Sequence, residues 1–186
     1  VAPSIIFGQM FKYPIPFKDK LDVVALEGAK DLPYEIPNIH VDYKSANTAV
    51  PIGWWRSVYN SQNAYANECF MDELAYAANM DPLQYRLQLL PDDSRNSNVL
   101  KLAAKKASWG ESTPTGRYKG LSCHESFGSY VAQVAEVSIG EDNIVTVHRV
   151  VCVIDCGQTV NPSIVEAQME SSIVYGLSAT LRGEIT

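Results

Sequence analysis

The feature that most constrains the fold is a pair of strand-like runs in the second half of the chain. Residues 130–139 and 144–154 are rich in valine and other apolar types, and the small or polar residues 140–143 separate them. Two such runs around a short turn are typical of a β-hairpin. The chain is therefore predicted to contain an antiparallel pair of strands.

Helix signals flank this predicted hairpin on both sides. Apolar residues recur near the 3.6-residue period from Ser61, and Asp81-Pro82 has the form of an N-cap followed by proline at the first helical position. Further helices are predicted over about 97–107 and about 163–180. Together with the hairpin, they predict an α+β fold in which helices pack on a mixed or antiparallel sheet.

Prolines crowd the beginning of the chain and give it a different character. Residues 1–50 are predicted to form extended, turn-rich chain. Within them, residues 21–29 could form a short helix or a strand, and residues 39–44 alternate at the strand period. The expected organisation is an extended segment over 1–50, a helical region over 51–110, and a hairpin-plus-helix region over 117–186.

Composition and charge exclude several classes of partner. A chain of 186 residues fills one compact domain, or two small domains that share an interface. Its 15 basic and 21 acidic residues give a net charge of −6, which argues against nucleic acid or an anionic membrane surface as the main partner. The longest apolar runs are far shorter than the roughly 20 residues that a membrane helix needs. We therefore predict neither a nucleic-acid partner nor a transmembrane segment.

The four cysteines lack the spacing of a disulfide scaffold or a structural zinc site, so no metal ligands are predicted. Cys123 and His124 are adjacent, and neighbours on an extended chain point to opposite faces, which argues against a catalytic dyad. Cys152 and Cys156 would share a strand face if the strand continues, about 13 Å apart and too far to bond each other. For Cys123 and His124 we expect a structural role or one that supports the residues in contact with a ligand, and Cys152 and Cys156 are expected to be small buried apolar residues.

Residues 50–63 hold the densest collection of unusual side chains. Trp54, Trp55 and Arg56 precede a predicted helix, whose free N–H groups favour an anionic ligand nearby. The alternative is structural, because tryptophan pairs often build cores and an arginine can tie a loop to a carboxylate.

A second polar segment, residues 155–162, leads into the last predicted helix. Such a loop can turn its backbone N–H groups into one crevice, together with the amide of Gln168, and this arrangement suits a polar cofactor. The alternative is ordinary helix capping, with Asn161 as N-cap and Pro162 at the first helical position.

Three blocks, taken in order, resemble a known family. They are VPIGWWRSVYNSQNAYANECFMDELAYAANMDPLQYRLQLL, GRYKGLSCHESFGSYVAQVAEVSI and HRVVCVIDCGQTVNPSIVEAQMESSIVYGLSATLRGEIT. The chain is similar to the molybdenum-binding subunit of the xanthine dehydrogenase and aldehyde oxidase family, above all to the branch that contains the isoquinoline 1-oxidoreductase beta subunit. The resemblance covers nearly the whole chain.

This resemblance implies a part of a molybdenum-cofactor-binding domain. The implied activity is hydroxylation of an N-heterocyclic aromatic compound or an aldehyde, with water as the oxygen source. The implied cofactor is molybdenum–molybdopterin in its cytosine dinucleotide form, and electrons leave through a partner subunit that carries iron–sulfur clusters. The remainder of the catalytic subunit is a further implied partner, and the compartment, bacterial periplasm or cytoplasm, is left open.

The resemblance also implies roles for particular residues. Arg56, Gly157, Asn161 and Gln168 are expected to bind the cofactor. The substrate pocket is expected to involve Trp55, Val58 and Tyr59. Because Val58 replaces the phenylalanine that stacks on the substrate in relatives, stacking would come from Trp55 or Tyr59.

No catalytic residue is assigned within the chain. The glutamate that acts as general base in the family follows the last helix and is expected beyond residue 186, so this chain is expected to be a fragment that is inactive alone. Two alternatives remain open at this point. One is a non-catalytic binding or assembly module with the same fold, and the other is a cysteine-based redox or metal protein.

Overall fold

A computed structural model describes residues 23–44, 50 and 53–184. After a 3-10 turn at Val23–Leu26, the elements in chain order are α1 Asn60–Ala77, α2 Pro82–Leu89, α3 Arg95–Lys106, β1 Arg117–Ser126, β2 Ser129–Ile139, β3 Val145–Asp155 and α4 Pro162–Leu181. The predicted α+β class is confirmed, and the sheet is antiparallel. The chain divides into two compact units, one ending at Pro91 and the other beginning at Asp92.

Helix α2 in the first unit begins at a side-chain N-cap. Asp81 caps α2, since its carboxylate accepts the N–H groups of Leu83 and Gln84, both at 3.0 Å, and Pro82 occupies the first helical position. The predicted cap is therefore confirmed. Most of the predicted extended segment 1–50 lies outside the described residues.

A buried ionic cluster ties the first unit together. The guanidinium of Arg86 is fully buried and donates to the Glu68 carboxylate at 3.1 Å, to the Glu68 carbonyl at 2.8 Å and to Asp72 at 2.6 Å. The hydroxyl of Tyr34 donates to the other Glu68 carboxylate oxygen at 2.7 Å. Three segments, the chain around Tyr34, α1 and α2, thus meet at one charge pair.

The second unit is a three-stranded sheet in the order β1-β2-β3, with α3 packed across all three strands. Ser94 caps α3 by accepting the N–H of Ser97 at 3.1 Å. The apolar stripe of α3 and the facing sheet residues form the core. Its most buried members are Val99, Leu100, Ala103, Ala104, Leu121, Cys123, Ala132 and Val134.

Helix α4 differs from the others, because none of its side chains is buried although it contacts β3. Ile164, Val174 and Tyr175 are each at least 60% exposed. Three hydroxyls on this helix donate to carbonyl oxygens one turn back within it, at 2.6 to 2.9 Å. They belong to Ser172, Ser178 and Thr180. Of the helices in the described residues, none is both long and apolar enough to span a membrane.

Two predictions about strands differ from the structure. Residues 39–44 form no strand, because alternation alone supplies no partner and a lone strand leaves its backbone groups unpaired. Conversely, β1 was not predicted as a strand; it pairs with β2 along its whole length. For residues 21–29 the sequence allowed a short helix or a strand. The structure has a single 3-10 turn at Val23–Leu26, and residues 21 and 22 lie outside the described part.

The Arg86 cluster yields a test of stability. Arg86→Met leaves the Glu68 carboxylate buried without its cation, so the free energy of unfolding is expected to fall by about 3–5 kcal/mol. Denaturant unfolding of the full chain, followed by circular dichroism, measures it. Lys30→Met, at the exposed Lys30–Asp31 pair, is the matched control and is expected to cost less than about 1 kcal/mol. Equal losses in the two variants would contradict this account of the cluster.

Candidate functional site

The turn that precedes α1 is exposed and carries a strained residue. Val58 donates its N–H to the Trp55 carbonyl at 3.0 Å, and Asn60 donates to the Ser57 carbonyl at 3.0 Å, so two turns follow each other. Val58 has a φ of 52°, in the left-handed region that β-branched residues rarely adopt. A conformation of this kind costs on the order of 1–3 kcal/mol and is often found at functional sites.

The predicted residues of this turn are placed differently from one another. Trp55 is 47% exposed and Arg56 is exposed, so both are accessible to a ligand. Val58 is half-buried, and Tyr59 is buried in the core of the first unit. The role of Trp55, Val58 and Tyr59 as a substrate pocket stays a prediction, with Trp55 the most open of the three.

Helix α1 starts directly after this turn without a side-chain cap from its N-cap residue, Tyr59. The hydroxyls of Ser57 and Ser61 hydrogen-bond each other across the first turn of the helix. The positive end of the helix dipole therefore lies beside the exposed guanidinium-bearing turn, which favours a negatively charged ligand group there.

In the second unit, the end of β3 is fixed by Arg95. Its guanidinium donates to both carboxylate oxygens of Asp155 at 2.7 Å, and it also donates to the Asp155 carbonyl at 3.1 Å. Gly157 donates its N–H to the same carboxylate at 3.0 Å. The pKa of Asp155 falls to about 2, because first Arg95 and then the Gly157 N–H hydrogen-bond its ionised form.

The loop after Asp155 is held at both ends and exposed between them. Gly157 adopts a φ of 76°, and no heavy atom of the described residues outside 156–158 lies within 4 Å of the position that a Cβ would take there. At the far end, Asn161 caps α4 by accepting the N–H of Ser163 at 3.1 Å, which is the structural alternative that the sequence left open for this residue. Residues 158–160 lie open to solvent between these anchors.

A cavity of about 500 Å³ lies against this loop, between β3 and α4. Every second residue at the end of β3 and one face of α4 supply its apolar lining. These residues are Val150, Cys152, Ile154, Val165, Met169 and Ile173. Gly157, Thr159 and the carboxylate-bearing Glu166 and Glu170 also line it. The cavity therefore offers an apolar wall with acidic groups beside it.

Gln168 is not among the residues that line this cavity. Val165, Met169 and Ile173 share the face of α4 that lines it, whereas Gln168 is exposed elsewhere on the helix. Of the predicted cofactor contacts in this unit, Gly157 lies at the cavity and Asn161 lies at the helix start next to it. The contact of Gln168 with a cofactor stays a prediction.

Of the four cysteines, Cys123 lies in the core, Cys69 is exposed, and Cys152 and Cys156 line the cavity. Cys123 is buried and its thiol donates to the Asn96 side-chain oxygen at 3.4 Å, while neighbouring His124 lies on the other face of β1. Burial lowers the pKa of His124 and raises the pKa of the Cys152 thiol. None of the four cysteines forms a disulfide within the described part of the chain, and residues 23–44, 50 and 53–184 hold no group of His, Cys, Asp and Glu that could bind a metal ion.

Arg95 is a residue of this site that no sequence pattern predicts. It lies 60 positions from Asp155, and no local pattern links the two residues. The only sequence signal is general, because an aspartate at the end of a strand commonly needs a cation or N–H donor when it fixes a loop.

Two family models, each described as a molybdopterin cofactor-binding domain, match the chain over residues 17–90 and 61–186. The chain belongs to the molybdopterin cofactor-binding family. The two matches overlap at residues 61–90, and the longer one contains the whole of the second unit.

Curated relatives are similar to this chain over most of its length. It is 31% identical over 152 residues to the beta subunit of isoquinoline 1-oxidoreductase from Brevundimonas diminuta, covering 80% of this chain and 20% of that protein. It is 30% identical over 172 residues to the B subunit of nicotinate dehydrogenase from Pseudomonas putida, covering 83% and 14%. The membrane-bound aldehyde dehydrogenase (pyrroloquinoline-quinone) of Gluconacetobacter polyoxogenes is 30% identical over 149 residues, covering 69% and 19%.

These matches confirm the resemblance to the molybdenum-binding subunits of the xanthine dehydrogenase and aldehyde oxidase family. The chain spans about a fifth or less of the length of the curated relatives that it matches.

The depressed pKa of Asp155 gives a pH-dependent test. The folded state favours the ionised carboxylate, so its stabilisation is present above the ordinary pKa of 3.8 and is lost as the pH falls through about 2. Asp155→Asn is therefore expected to lower the thermal midpoint of unfolding at neutral pH. This difference from the wild-type chain should shrink as the pH falls below 3.8 and disappear below about 2.

The control for this test is Asp92→Asn, the same substitution at an exposed carboxylate. It is expected to leave the midpoint unchanged at neutral pH. A loss at Asp155→Asn that is constant over the whole pH range would show that the charge is not what stabilises the loop.

Proposed function

We propose that this chain forms part of the catalytic subunit of a molybdenum hydroxylase that oxidises N-heterocyclic aromatic compounds or aldehydes, with water as the oxygen source. The observation that carries the proposal is the succession of two molybdopterin cofactor-binding matches that together cover residues 17–186. Isoquinoline, nicotinate and an aldehyde dehydrogenase activity occur in the names of its relatives. The first two compounds are flat nitrogen heterocycles, which supports that substrate class.

The exposed loop after β3 fits a large polar cofactor. The open position beside Gly157 lets a ligand approach the backbone closely, and the anchored ends of the loop lower the entropy lost on binding. The adjoining cavity does not fit a phosphate group, because Glu166 and Glu170 would repel it. The loop is therefore the better contact for the pterin, and the phosphate would lie away from those carboxylates.

The proposed cofactor is molybdenum–molybdopterin in the cytosine dinucleotide form, held by Arg56, Gly157, Asn161 and Gln168. When bound, this group supplies the two-electron oxidation of the substrate. Arg56 contributes a permanent positive charge for an anionic cofactor group, and Asn161 holds the start of α4 in place. Trp55 presents an exposed ring that can stack on a flat substrate.

The proposed partners follow from the same assignment. Electrons would pass to a subunit with iron–sulfur clusters, and the general base would come from the remainder of the catalytic subunit. The lack of any buried side chain on α4, despite its apolar residues, supports a further polypeptide that covers this helix, since apolar helices of this length are normally covered.

Cofactor content tests the proposal. Molybdenum by elemental analysis and pterin by fluorescence are measured on the complete subunit and on residues 1–186 alone. Stoichiometric amounts of both are expected in the complete subunit and neither in the shorter chain. Absence of both from the complete subunit would refute the proposal, and cooperative folding of residues 1–186 without cofactor would then favour a binding or assembly module.

A single substitution tests the assignment of Gln168. In the complete enzyme, Gln168→Ala is expected to lower molybdopterin content, because the side-chain amide is lost as a hydrogen-bonding group for the pterin. Gln84→Ala, at another exposed helical glutamine, is the matched control and is expected to retain full content. Unchanged content and activity in Gln168→Ala would remove this residue from the cofactor site.

A further inference from the structure

We propose that Arg95 is a positioning residue that holds the loop over residues 156–161 in the conformation that receives the cofactor. This inference rests on the proposed function, and it goes beyond it by assigning a residue that lies outside the proposed cofactor contacts. Arg95 acts through Asp155, whose carboxylate it shares with the N–H of Gly157.

The ion pair between Arg95 and Asp155 fixes the end of β3. Arg95 uses two nitrogen atoms for the two oxygens of Asp155, each at 2.7 Å, which is the paired arrangement that fixes both distance and orientation. A third hydrogen bond, at 3.1 Å, reaches the Asp155 carbonyl. The side chain and the backbone of the last residue of β3 are therefore both held by one guanidinium.

Arg95 is itself held by contacts with Tyr130 and Gly128. The guanidinium carbon lies 4.1 Å from the centre of the Tyr130 ring, and Tyr130 is the register partner of Asp155 across β2 and β3. A longer contact of 3.5 Å reaches the Gly128 carbonyl in the turn before β2. Because α3 packs across the sheet, the backbone of Arg95, its first residue, is fixed relative to the strands. Its guanidinium can therefore hold the end of β3 in one position.

Asp155 connects Arg95 to the loop over residues 156–161. The Asp155 oxygen that Arg95 holds at 2.7 Å also accepts the Gly157 N–H at 3.0 Å. Gly157 lines the cavity and has a left-handed φ, so the direction of the loop is set at this residue. Movement of the carboxylate would therefore turn the loop backbone that the cofactor is proposed to contact.

Lysine cannot replace this arrangement. An ammonium keeps the charge, yet it lacks the planar fork that reaches two carboxylate oxygens while it stacks on a ring. Arg95→Lys therefore removes the orientation of Asp155 and preserves the charge. Arg117→Lys is the matched control, because Arg117 makes a single 2.7 Å contact with Glu136 in the same sheet, away from the loop.

The experiment uses the complete subunit, expressed with its partners in a host that makes the cofactor. Molybdenum and pterin per subunit are measured for wild type, Arg95→Lys and Arg117→Lys, and hydrogen exchange is followed by mass spectrometry. The cofactor content of Arg95→Lys is expected to be about tenfold lower than that of the wild type. This is the lower end of the loss seen when a residue that orients a metal ligand is replaced. Exchange is expected to accelerate over residues 156–161 and to stay unchanged over residues 129–139, whereas Arg117→Lys matches wild type in both measurements.

Each other outcome overturns the inference in a distinguishable way. Equal cofactor content in Arg95→Lys and Arg117→Lys, with wild type loaded, would refute the role of Arg95 alone. Faster exchange throughout the sheet in Arg95→Lys would show that the residue only stabilises the unit. A wild-type subunit without molybdenum and pterin would refute the proposed function, and the role of Arg95 would fall with it.

Discussion

The packing of α3 across the antiparallel sheet is the contact on which the rest of the second unit depends. Leu100 and Ala103 are completely buried between the helix and the strands, and Ala132 at the centre of β2 is completely buried opposite them. Burial of apolar area of this kind is the main favourable contribution to folding. It sets the strand ends and the helix start at fixed positions, so polar groups at those ends can be arranged with little loss of entropy.

Much of the fold was predictable because its signals are local. Asp81 and Asn161 each precede a proline and begin a helix, and the turn over 140–143 separates two apolar runs. The strand β1 lacks such a signal, because Gly120 and Ser122 interrupt its apolar pattern and its burial depends on pairing with β2. Residues 39–44 show the opposite case, because their alternating pattern predicts a strand and the structure has none there.

The candidate site was predictable only in part. Residue types alone single out the two loops that lead into helices, whereas the roles of Arg56 and Gly157 follow from the family resemblance and stay predictions. The sequence could not show that Tyr59 is buried, since burial depends on how the whole unit packs. Nor could it show the pairing of Arg95 with Asp155, which is formed by residues that are distant in the chain and adjacent only after α3 has packed.

The hydroxyls of α4 have a consequence for how this helix responds to its surroundings. Ser172, Ser178 and Thr180 already donate to the carbonyl oxygens of their own helix. Transfer of the helix from water to an apolar environment would therefore leave none of these donors unsatisfied. Only Glu166 and Glu170, both in its first half, carry charge. An apolar surface could therefore enclose the second half of α4 without breaking a hydrogen bond of these three hydroxyls.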